Sequence, residues 1–190
     1  MSNKWVSIGV WGDSIVHGGC DPVLGGWVNR LRLYLWGRGL GDHVFNLGLG
    51  GNNSTQVLAR IGAELRARVG HLDHVLVSVG VNDLLHPTAP VLPPEFEANL
   101  RAIVAEARAQ GKPPHLLSMI SIQREPEKCA VYNAVIEQVA AETGAGFVDL
   151  RHCVDAVDMP DGVHPDGAGH EKMFQTVKAH LIRTGLVPAE

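Results

Sequence analysis

The amino-acid sequence predicts a three-layer α/β/α sandwich around a five-stranded parallel sheet with the strand order 2-1-3-4-5. Two observations support this fold class. Five short apolar runs, rich in valine, isoleucine and leucine, have the length and composition of buried parallel strands. The stretches between them place apolar residues at helical spacing, so strands and helices alternate along the 190 residues. The order 2-1-3-4-5 is a common one for such a chain.

The first strand is predicted at residues 4–11, an apolar run that stops at a Gly-Asp-Ser tripeptide. A glycine-rich loop follows, and a helix is predicted at residues 27–36, ended by Gly37 and Gly39. The residues on the apolar face of this helix are Trp27, Leu31, Tyr34 and Leu35.

Residues 43–49 make the second predicted strand and residues 74–79 the third, which is rich in β-branched residues as a buried parallel strand should be. The loop after the second strand, residues 50–53, precedes a helix that we expect Ser54 or Thr55 to cap. Arginines occupy the outer face of that helix. Its core face is Leu58, Ile61, Leu65 and Val69.

A loop with four prolines, Leu84 to Pro94, follows the third strand. The next helix is predicted to start near Pro94, because proline is favoured in a first helical turn, and to stop at Gly111. The remaining predicted elements are strands at 115–122 and 147–150, a helix at about 127–143 and a last helix that ends near Thr184.

Composition is that of an ordinary globular protein, with 45% hydrophobic and 19% charged residues in one predicted domain, residues 1–190. The net charge of −4 and the absence of a basic block argue against a nucleic-acid partner. Cys20, Cys129 and Cys153 show no Cys-x-x-Cys or zinc spacing, so we expect reduced thiols. No signal peptide or membrane span is apparent, which favours a cytoplasmic protein. Nothing in the pattern fixes an oligomeric state.

Residues with catalytic potential follow four of the five predicted strands. Ser14 follows the first strand, Gly51 the second and Asn82 the third, while Asp161 and His164 follow the fifth. In a parallel sheet these four loops open on the same edge. A hydroxyl, an imidazole, a carboxylate and N–H donors are the groups that serine-dependent acyl transfer requires. The loops can therefore supply a complete serine hydrolase site.

Four short sequence blocks lie at the ends of predicted strands. They are residues 12–14 (Gly-Asp-Ser), 46–51 (Asn-Leu-Gly-Leu-Gly-Gly), 80–83 (Gly-Val-Asn-Asp) and 161–164 (Asp-Gly-Val-His). These blocks resemble those of the SGNH (GDSL) hydrolase family. Each block is a weak signal alone, but all four occur in family order at predicted strand ends. The resemblance covers essentially the whole chain. It implies the three-layer fold and ester hydrolysis without a cofactor or a metal.

The resemblance also implies a role for each of five residues. Ser14 would be the nucleophile, His164 the general base and then the general acid, and Asp161 the group that holds the imidazole in the right tautomer. The backbone N–H groups of Ser14 and Gly51 and the side-chain amide of Asn82 would form the oxyanion hole. A glycine lets the backbone approach the substrate closely, and a neutral amide donates without titrating.

Taken singly, these residues have simpler structural interpretations. A serine after a strand commonly caps the next helix, and asparagine and glycine are common turn residues. His164 could be a surface histidine before Pro165. Asp13 and Asp83 are expected to be structural, accepting hydrogen bonds from loop amides. Cys20 is interpreted as a spare thiol.

Other functions of α/β folds find less support. The dinucleotide fingerprint lacks its third glycine, and no phosphate-binding Gly-Lys-Ser/Thr motif is present. The Gly-x-Ser-x-Gly nucleophile elbow is also absent, because Val16 occupies its last position. A non-catalytic flavodoxin-like binding or regulatory domain is the alternative from a different class.

The predicted substrate is a small ester, because no lid and no membrane-seeking insert is visible. Acetyl and short-chain acyl esters are favoured, and lysophospholipase and acyl thioesterase activities are the alternatives. We expect the loop from Leu84 to Pro94, with Leu85 and His86, to form one wall of the pocket, and Trp27 with the loop at residues 21–26 to form another. The fold alone does not select among these substrates.

Overall fold

A computed structural model describes residues 5–41, 43–86 and 89–189 of the chain. The strands that it contains are β1 (Ile8–Gly12), β2 (Val44–Gly48), β3 (His74–Ser78), β4 (Pro114–Leu117) and β5 (Gly146–Val148). They form one sheet in the order β2-β1-β3-β4-β5, and every neighbouring pair is parallel. The predicted fold class and strand order are confirmed.

Helices cover both faces of this sheet. In the described ranges they are α1 (Ser14–His17), α2 (Gly26–Gly37), α3 (Ser54–Arg66), α4 (Val81–Leu85), α5 (Pro93–Ala109), α6 (Pro126–Thr143) and α7 (Gly167–Arg183). Helix α2 packs against α7, and α5 lies between α3 and α6. Because crossovers between parallel strands are right-handed in nearly all proteins, the order β2-β1-β3-β4-β5 puts these two groups of helices on opposite faces of the sheet, which gives the three layers.

Strands β2, β1 and β3 end at the same level of the sheet. Strand β1 pairs with β2 and β3 along its whole length, and Gly12 lies opposite both Gly48 and Ser78. A Cβ atom on Gly12 would lie 2.3 Å from the Ser78 carbonyl oxygen, and one on Gly48 would lie 2.4 Å from the His17 nitrogen. Glycine is therefore required at both positions, because the chain after β1 turns tightly across the ends of its neighbours. The loops that follow leave the sheet side by side.

The predicted strand at 115–122 is too long. Strand β4 ends at Leu117, although the residues after it are still buried. Beyond this point the backbone finds other partners: the Asn133 side chain on α6 accepts from Met119 N at 2.7 Å and donates to Met119 O at 3.2 Å. Burial explains the apolar run. Ser118 N still donates to Val148 O of β5 at 3.0 Å, but at Met119 a side chain rather than a neighbouring strand satisfies the backbone.

Other boundaries also differ from the predictions. Strand β1 begins at Ile8 rather than residue 4, which lies outside the described residues. Asn53, not Ser54 or Thr55, caps α3, and it forms a capping box with Gln56. Helices α1 and α4 were not predicted, because a single turn is too short to show a helical period. No helix in the described ranges is both long and apolar enough to cross a bilayer.

Candidate active site

Ser14 is placed by the turn that follows β1. Asp13 caps the one-turn helix α1, and its Oδ1 atom accepts from Ile15 N at 2.9 Å. The Asp13 side chain is buried, and this burial raises its pKa to about 6 despite hydrogen bonds from backbone N–H groups. Because Asp13 caps the turn, the hydroxyl of Ser14, the first residue of α1, is free to bond elsewhere.

The structure brings Ser14, His164 and Asp161 into one hydrogen-bonded chain. Ser14 Oγ lies 2.8 Å from His164 Nε2, and His164 Nδ1 lies 2.7 Å from Asp161 Oδ2. The second carboxylate oxygen, Oδ1, accepts from the backbone nitrogens of Val163 at 2.9 Å and His164 at 2.7 Å. The carboxylate is thus fixed by its own loop and in turn orients the imidazole.

These hydrogen bonds keep the Asp161 carboxyl ionised. Burial by itself would raise its pKa, but hydrogen bonds from the backbone and ring of His164 and from Val163 N outweigh that effect and lower the pKa to about 2. An anion is therefore present beside the imidazole throughout the neutral range. It favours the tautomer with a proton on Nδ1, which leaves the Nε2 lone pair directed at the Ser14 hydroxyl.

A buried histidine connects the segment that carries His164 to the segment that carries Ser14. His170 on α7 is fully buried; its Nδ1 accepts from Trp27 N at 3.3 Å, and its Nε2 donates to the Gly19 carbonyl at 3.0 Å. Burial lowers the pKa of His170, which favours the neutral ring that these two bonds require. The ring therefore connects the helix after His164 to the loop after Ser14.

An ion pair reinforces the same connection. The Arg30 guanidinium on α2 is buried against the Asp21 carboxylate and also donates to Glu171 at 3.1 Å and to the Gly167 carbonyl at 3.0 Å. Burial alone would raise the pKa of Asp21, but Arg30 and the backbone nitrogens of Gly26 and Leu24 lower it to about 2. Helix α7 is thus anchored to the loop that follows α1.

Gly51 and Asn82 lie on the loops after β2 and β3. Gly51 has a φ of 80°, and a Cβ atom there would meet nothing within 4 Å. The protein itself therefore requires glycine for its backbone conformation and not for lack of space. Asn82 is the second residue of α4, and its side-chain amide donates to the Asn52 carbonyl at 3.0 Å. The two predicted oxyanion-hole residues thus belong to connected loops.

Asp83, the third residue of α4, connects this helix to the first residue of α3. Its buried carboxylate accepts from Ser54 N at 3.0 Å and from the Ser54 hydroxyl. Burial raises the pKa of Asp83. Both aspartates expected to be structural, Asp13 and Asp83, accept hydrogen bonds from backbone amides at the starts of helices.

Arg60 is a contributor that the sequence analysis missed. It was counted among the outward arginines of α3, but its side chain is only 16% exposed. The guanidinium donates to the Leu47 carbonyl at 2.7 Å, to Gly12 O at 3.2 Å and to Asn52 Oδ1 at 3.0 Å. It therefore holds the ends of β1 and β2 to the Gly51 loop. Helical spacing gives no signal for this role, since these three acceptors are backbone and loop atoms. Arg60 also pairs with Glu64 on its own helix at 2.8 Å.

The predicted pocket walls are only partly compatible with the structure. Trp27 is fully buried and lines no surface, because it is part of the core face of α2. Leu85 is half-buried and His86 exposed on the loop after α4, while residues 87 and 88 of that loop lie outside the described residues. An apolar pocket of about 230 Å³ lies between this loop and α6, lined in part by Leu84 and Tyr132.

Solved structures with this fold include an acetylxylan esterase and another hydrolase. A catalytic mutant of Axe2, an acetylxylan esterase from Geobacillus stearothermophilus, is similar with a TM-score of 0.81 and 25% identity, over 94% of each chain. LAE5, an alpha/beta hydrolase enzyme from the metagenome of Lake Arreo, Spain, is similar with a TM-score of 0.79 and 24% identity, over 98% of each chain. A search by sequence among curated proteins found no match.

The class of protein is thus a three-layer α/β hydrolase with its polar loops at the carboxyl edge of the sheet. Residues 10–172 match the model of the GDSL-like lipase/acylhydrolase family. This match covers most of the chain, and the chain belongs to that family. It is an ester-cleaving serine hydrolase, as the sequence analysis predicted.

Proposed function

We propose that this enzyme hydrolyses acetyl or short-chain acyl esters of small molecules through an acyl-serine intermediate on Ser14. The observation that carries the proposal is the unbroken hydrogen-bond chain from Ser14 Oγ to His164 Nε2 at 2.8 Å and from His164 Nδ1 to Asp161 Oδ2 at 2.7 Å. Ser14 is 150 positions from His164 in the sequence. Two turns without a common function would not be expected to bring the three side chains into hydrogen-bond contact.

Each proton has a defined path in this mechanism. His164 Nε2 takes the Ser14 hydroxyl proton as Oγ attacks the ester carbonyl, and a tetrahedral intermediate forms. The same nitrogen then donates that proton to the leaving alcohol, and Ser14 carries the acyl group. In the second half of the reaction, water gives a proton to His164 Nε2 and attacks the acyl carbon. The proton then returns to Ser14 Oγ as the acid leaves. The Asp161 carboxylate stabilises the imidazolium at both stages.

The oxyanion is assigned to the backbone N–H groups of Ser14 and Gly51 and to the Asn82 amide. An amide NH₂ group has two hydrogens, and the bond to Asn52 O uses one of them. The second hydrogen is the one proposed to meet the oxyanion. Because the amide is already oriented, little reorganisation accompanies the reaction.

Two observations favour a small acetyl ester as the substrate. The hydroxyl of Ser14 is partly exposed and the Asp161 side chain is exposed, so the site opens directly on the surface. Axe2, 25% identical over 94% of this chain, is an acetylxylan esterase, and one of its mutants is described as an acetyl-xylooligosaccharide esterase. We therefore propose acetylated carbohydrates as the first substrates to test, ahead of lysophospholipids and acyl thioesters.

The test is turnover of p-nitrophenyl esters from acetate to palmitate and release of acetate from acetylated xylo-oligosaccharides, by wild type and Ser14→Ala. We expect turnover of the short esters, and its loss in the variant with a change in unfolding free energy within about 1 kcal/mol. Ser121→Ala removes another exposed serine hydroxyl as a control. A folded protein that neither turns over an ester nor reacts with a fluorophosphonate would favour a non-catalytic binding domain.

A further inference from the structure

Cys20 occupies an unusual place beside the Ser14 loop. Among the described residues it is the one non-glycine residue with a positive φ, 66°, and its side chain is exposed. The backbone of the preceding residue, Gly19, lies close to the side chains of Ser14 and His164. A Cβ atom on Gly19 would be 3.5 Å from His164 Cδ2 and 3.7 Å from Ser14 Cβ. The loop therefore carries the thiol to the edge of the catalytic imidazole.

Three different metal-ligating side chains meet at that point. Cys20 Sγ, one Asp161 carboxylate oxygen and one His164 ring nitrogen all lie within 4.8 Å of one another. Within the described ranges, this is the one group of three such side chains with ligand atoms at that spacing. No sequence motif predicts this group, because Cys20 is distant in the chain from Asp161 and His164 and no ligand-spacing motif connects them.

The ligand set has the chemistry of a zinc site. Zn²⁺ accepts thiolate, imidazole and carboxylate ligands in tetrahedral geometry, with water as a fourth ligand. Bonds of about 2.0 to 2.3 Å place two ligand atoms of one ion about 3.3 to 3.6 Å apart. Cys20 Sγ has to move inward by up to about 1 Å, which a torsional change of its exposed side chain provides. Asp161 Oδ2 and His164 Nδ1, which are 2.7 Å apart, exchange their hydrogen bond for two bonds to the ion and separate by about 0.6 Å. A hard cation such as Mg²⁺ would find a poor ligand in the thiol.

We propose that Cys20, Asp161 and His164 form an inhibitory binding site for Zn²⁺ and similar thiophilic divalent cations. On binding, the Cys20 thiol releases its proton to solvent and the thiolate coordinates the ion. Binding itself does not depend on the proposed function, but the effect on catalysis does, since it requires His164 to be the general base.

The ion coordinates Nδ1, because Asp161 Oδ2 lies on that side of the ring, 2.7 Å from Nδ1, whereas Nε2 points away towards Ser14. It replaces the proton on Nδ1, and the neutral ring then carries its proton on Nε2. Nε2 therefore has no lone pair for the Ser14 proton, and the nucleophile is not activated.

The other two thiols give an internal control. Cys129 is buried, and burial raises the pKa of its thiol. Cys153 is half-buried, and burial raises the pKa of its thiol to about 11. Neither thiol belongs to a three-ligand cluster among the described residues. A cation response that requires Cys20 and not Cys153 therefore identifies the site.

Binding is measured first, with Co²⁺ as a spectroscopic substitute for Zn²⁺ and with Zn²⁺ by calorimetry. We expect a thiolate-to-cobalt charge-transfer band in wild type and in Cys153→Ala that is absent in Cys20→Ala. Removing a thiolate ligand should weaken Zn²⁺ affinity at least about tenfold. Cys20→Ser, with matching thermal unfolding, guards against an unfolded variant. An unchanged band and affinity in Cys20→Ala would overturn the proposal.

Inhibition is measured on p-nitrophenyl acetate with Zn²⁺, with Mg²⁺ as the hard-cation control and with chelator to reverse the effect. We expect Zn²⁺ to inhibit wild type reversibly and the concentration for half-inhibition to rise at least about tenfold in Cys20→Ala. Equal inhibition of both proteins would contradict the site. If Zn²⁺ binding depends on Cys20 but no ester is turned over, the cation site stands and the proposed esterase function fails.

Discussion

The side-chain amide of Asn82 donates to the backbone carbonyl of Asn52 at 3.0 Å, and this bond connects the loop after β3 to the loop after β2. Asn52 directly follows Gly51, and its own side chain accepts from Arg60. The Asn82 amide is therefore held by the loop that carries Gly51, and Arg60 holds that loop in turn. Changes at any of them should affect the reaction through kcat more than through KM.

Asn82→Ala should lower kcat about 100- to 1000-fold and leave KM within a few-fold, because the lost donor acts mainly on the tetrahedral intermediate. Steady-state kinetics with p-nitrophenyl acetate measure both constants. Asn29→Ala is a suitable control, since Asn29 also donates a side-chain amide hydrogen to a backbone carbonyl, that of Leu24. A decrease in kcat of less than tenfold would remove Asn82 from the proposed oxyanion hole.

Gly51→Ala and Gly185→Ala form a matched pair. Both glycines have positive φ, 80° and 73°, and a Cβ atom on either would meet nothing within 4 Å. Each substitution should therefore destabilise the fold by a similar amount, on the order of 1 kcal/mol, from backbone strain alone. Only Gly51→Ala should also lower kcat, because it displaces an N–H group proposed to bind the oxyanion. Equal kcat values in the two variants would contradict that assignment.

Arg60→Met tests whether Arg60 is a positioning residue. Its guanidinium holds Gly12 O, Leu47 O and Asn52 Oδ1, so we expect kcat to fall about 10- to 100-fold as the loops shift. Arg60→Lys should restore part of the loss, because it keeps one charged donor. Arg66→Met, on the same helix, removes an exposed arginine with one long ion pair and should change little. Lower thermal stability of Arg60→Met with unchanged kcat would indicate a purely structural role.

A cluster of histidines at the end of the sheet away from Ser14 predicts how the free energy of unfolding falls at acidic pH. His115 is buried against the rings of His74 and His180, and burial, followed by these two neighbours, lowers its pKa to about 4. The unfolded chain, with a pKa near 6.5, binds the proton more readily. Stability is therefore complete above about pH 6.5 and is lost as the pH falls towards 4, by up to about 3 kcal/mol from this group.

Urea unfolding between pH 4 and 7.5 measures this slope. His115→Leu should flatten it, since the variant has no group to protonate at that position. A pH dependence that is identical in wild type and in His115→Leu would exclude His115 as its source. His180, whose pKa burial also lowers, would account for a smaller residual slope.

The elements that the sequence predicted well are those with a strong local pattern. The residues Trp27, Leu31 and Leu35 share one face of α2, and all three are fully buried. The three inner strands, β1, β3 and β4, are apolar because both of their faces are covered and almost every residue is buried. The edge strands β2 and β5 are only partly buried. The predicted end of β4 was wrong because, beyond Leu117, the Asn133 side chain takes the place of a neighbouring strand as the hydrogen-bond partner of Met119.

The sequence by itself determined the layer architecture and the residue types at the carboxyl edge, because periodicity and strand-end motifs are local properties. Only the tertiary structure decided which groups meet: Ser14 with His164, 150 positions apart, Arg60 with three loop oxygens, and Cys20 with the imidazole. These contacts are set by the register of three strands that end side by side and by the packing of α7 on α2. Such distances depend on the fold as a whole, and no spacing along the chain encodes them.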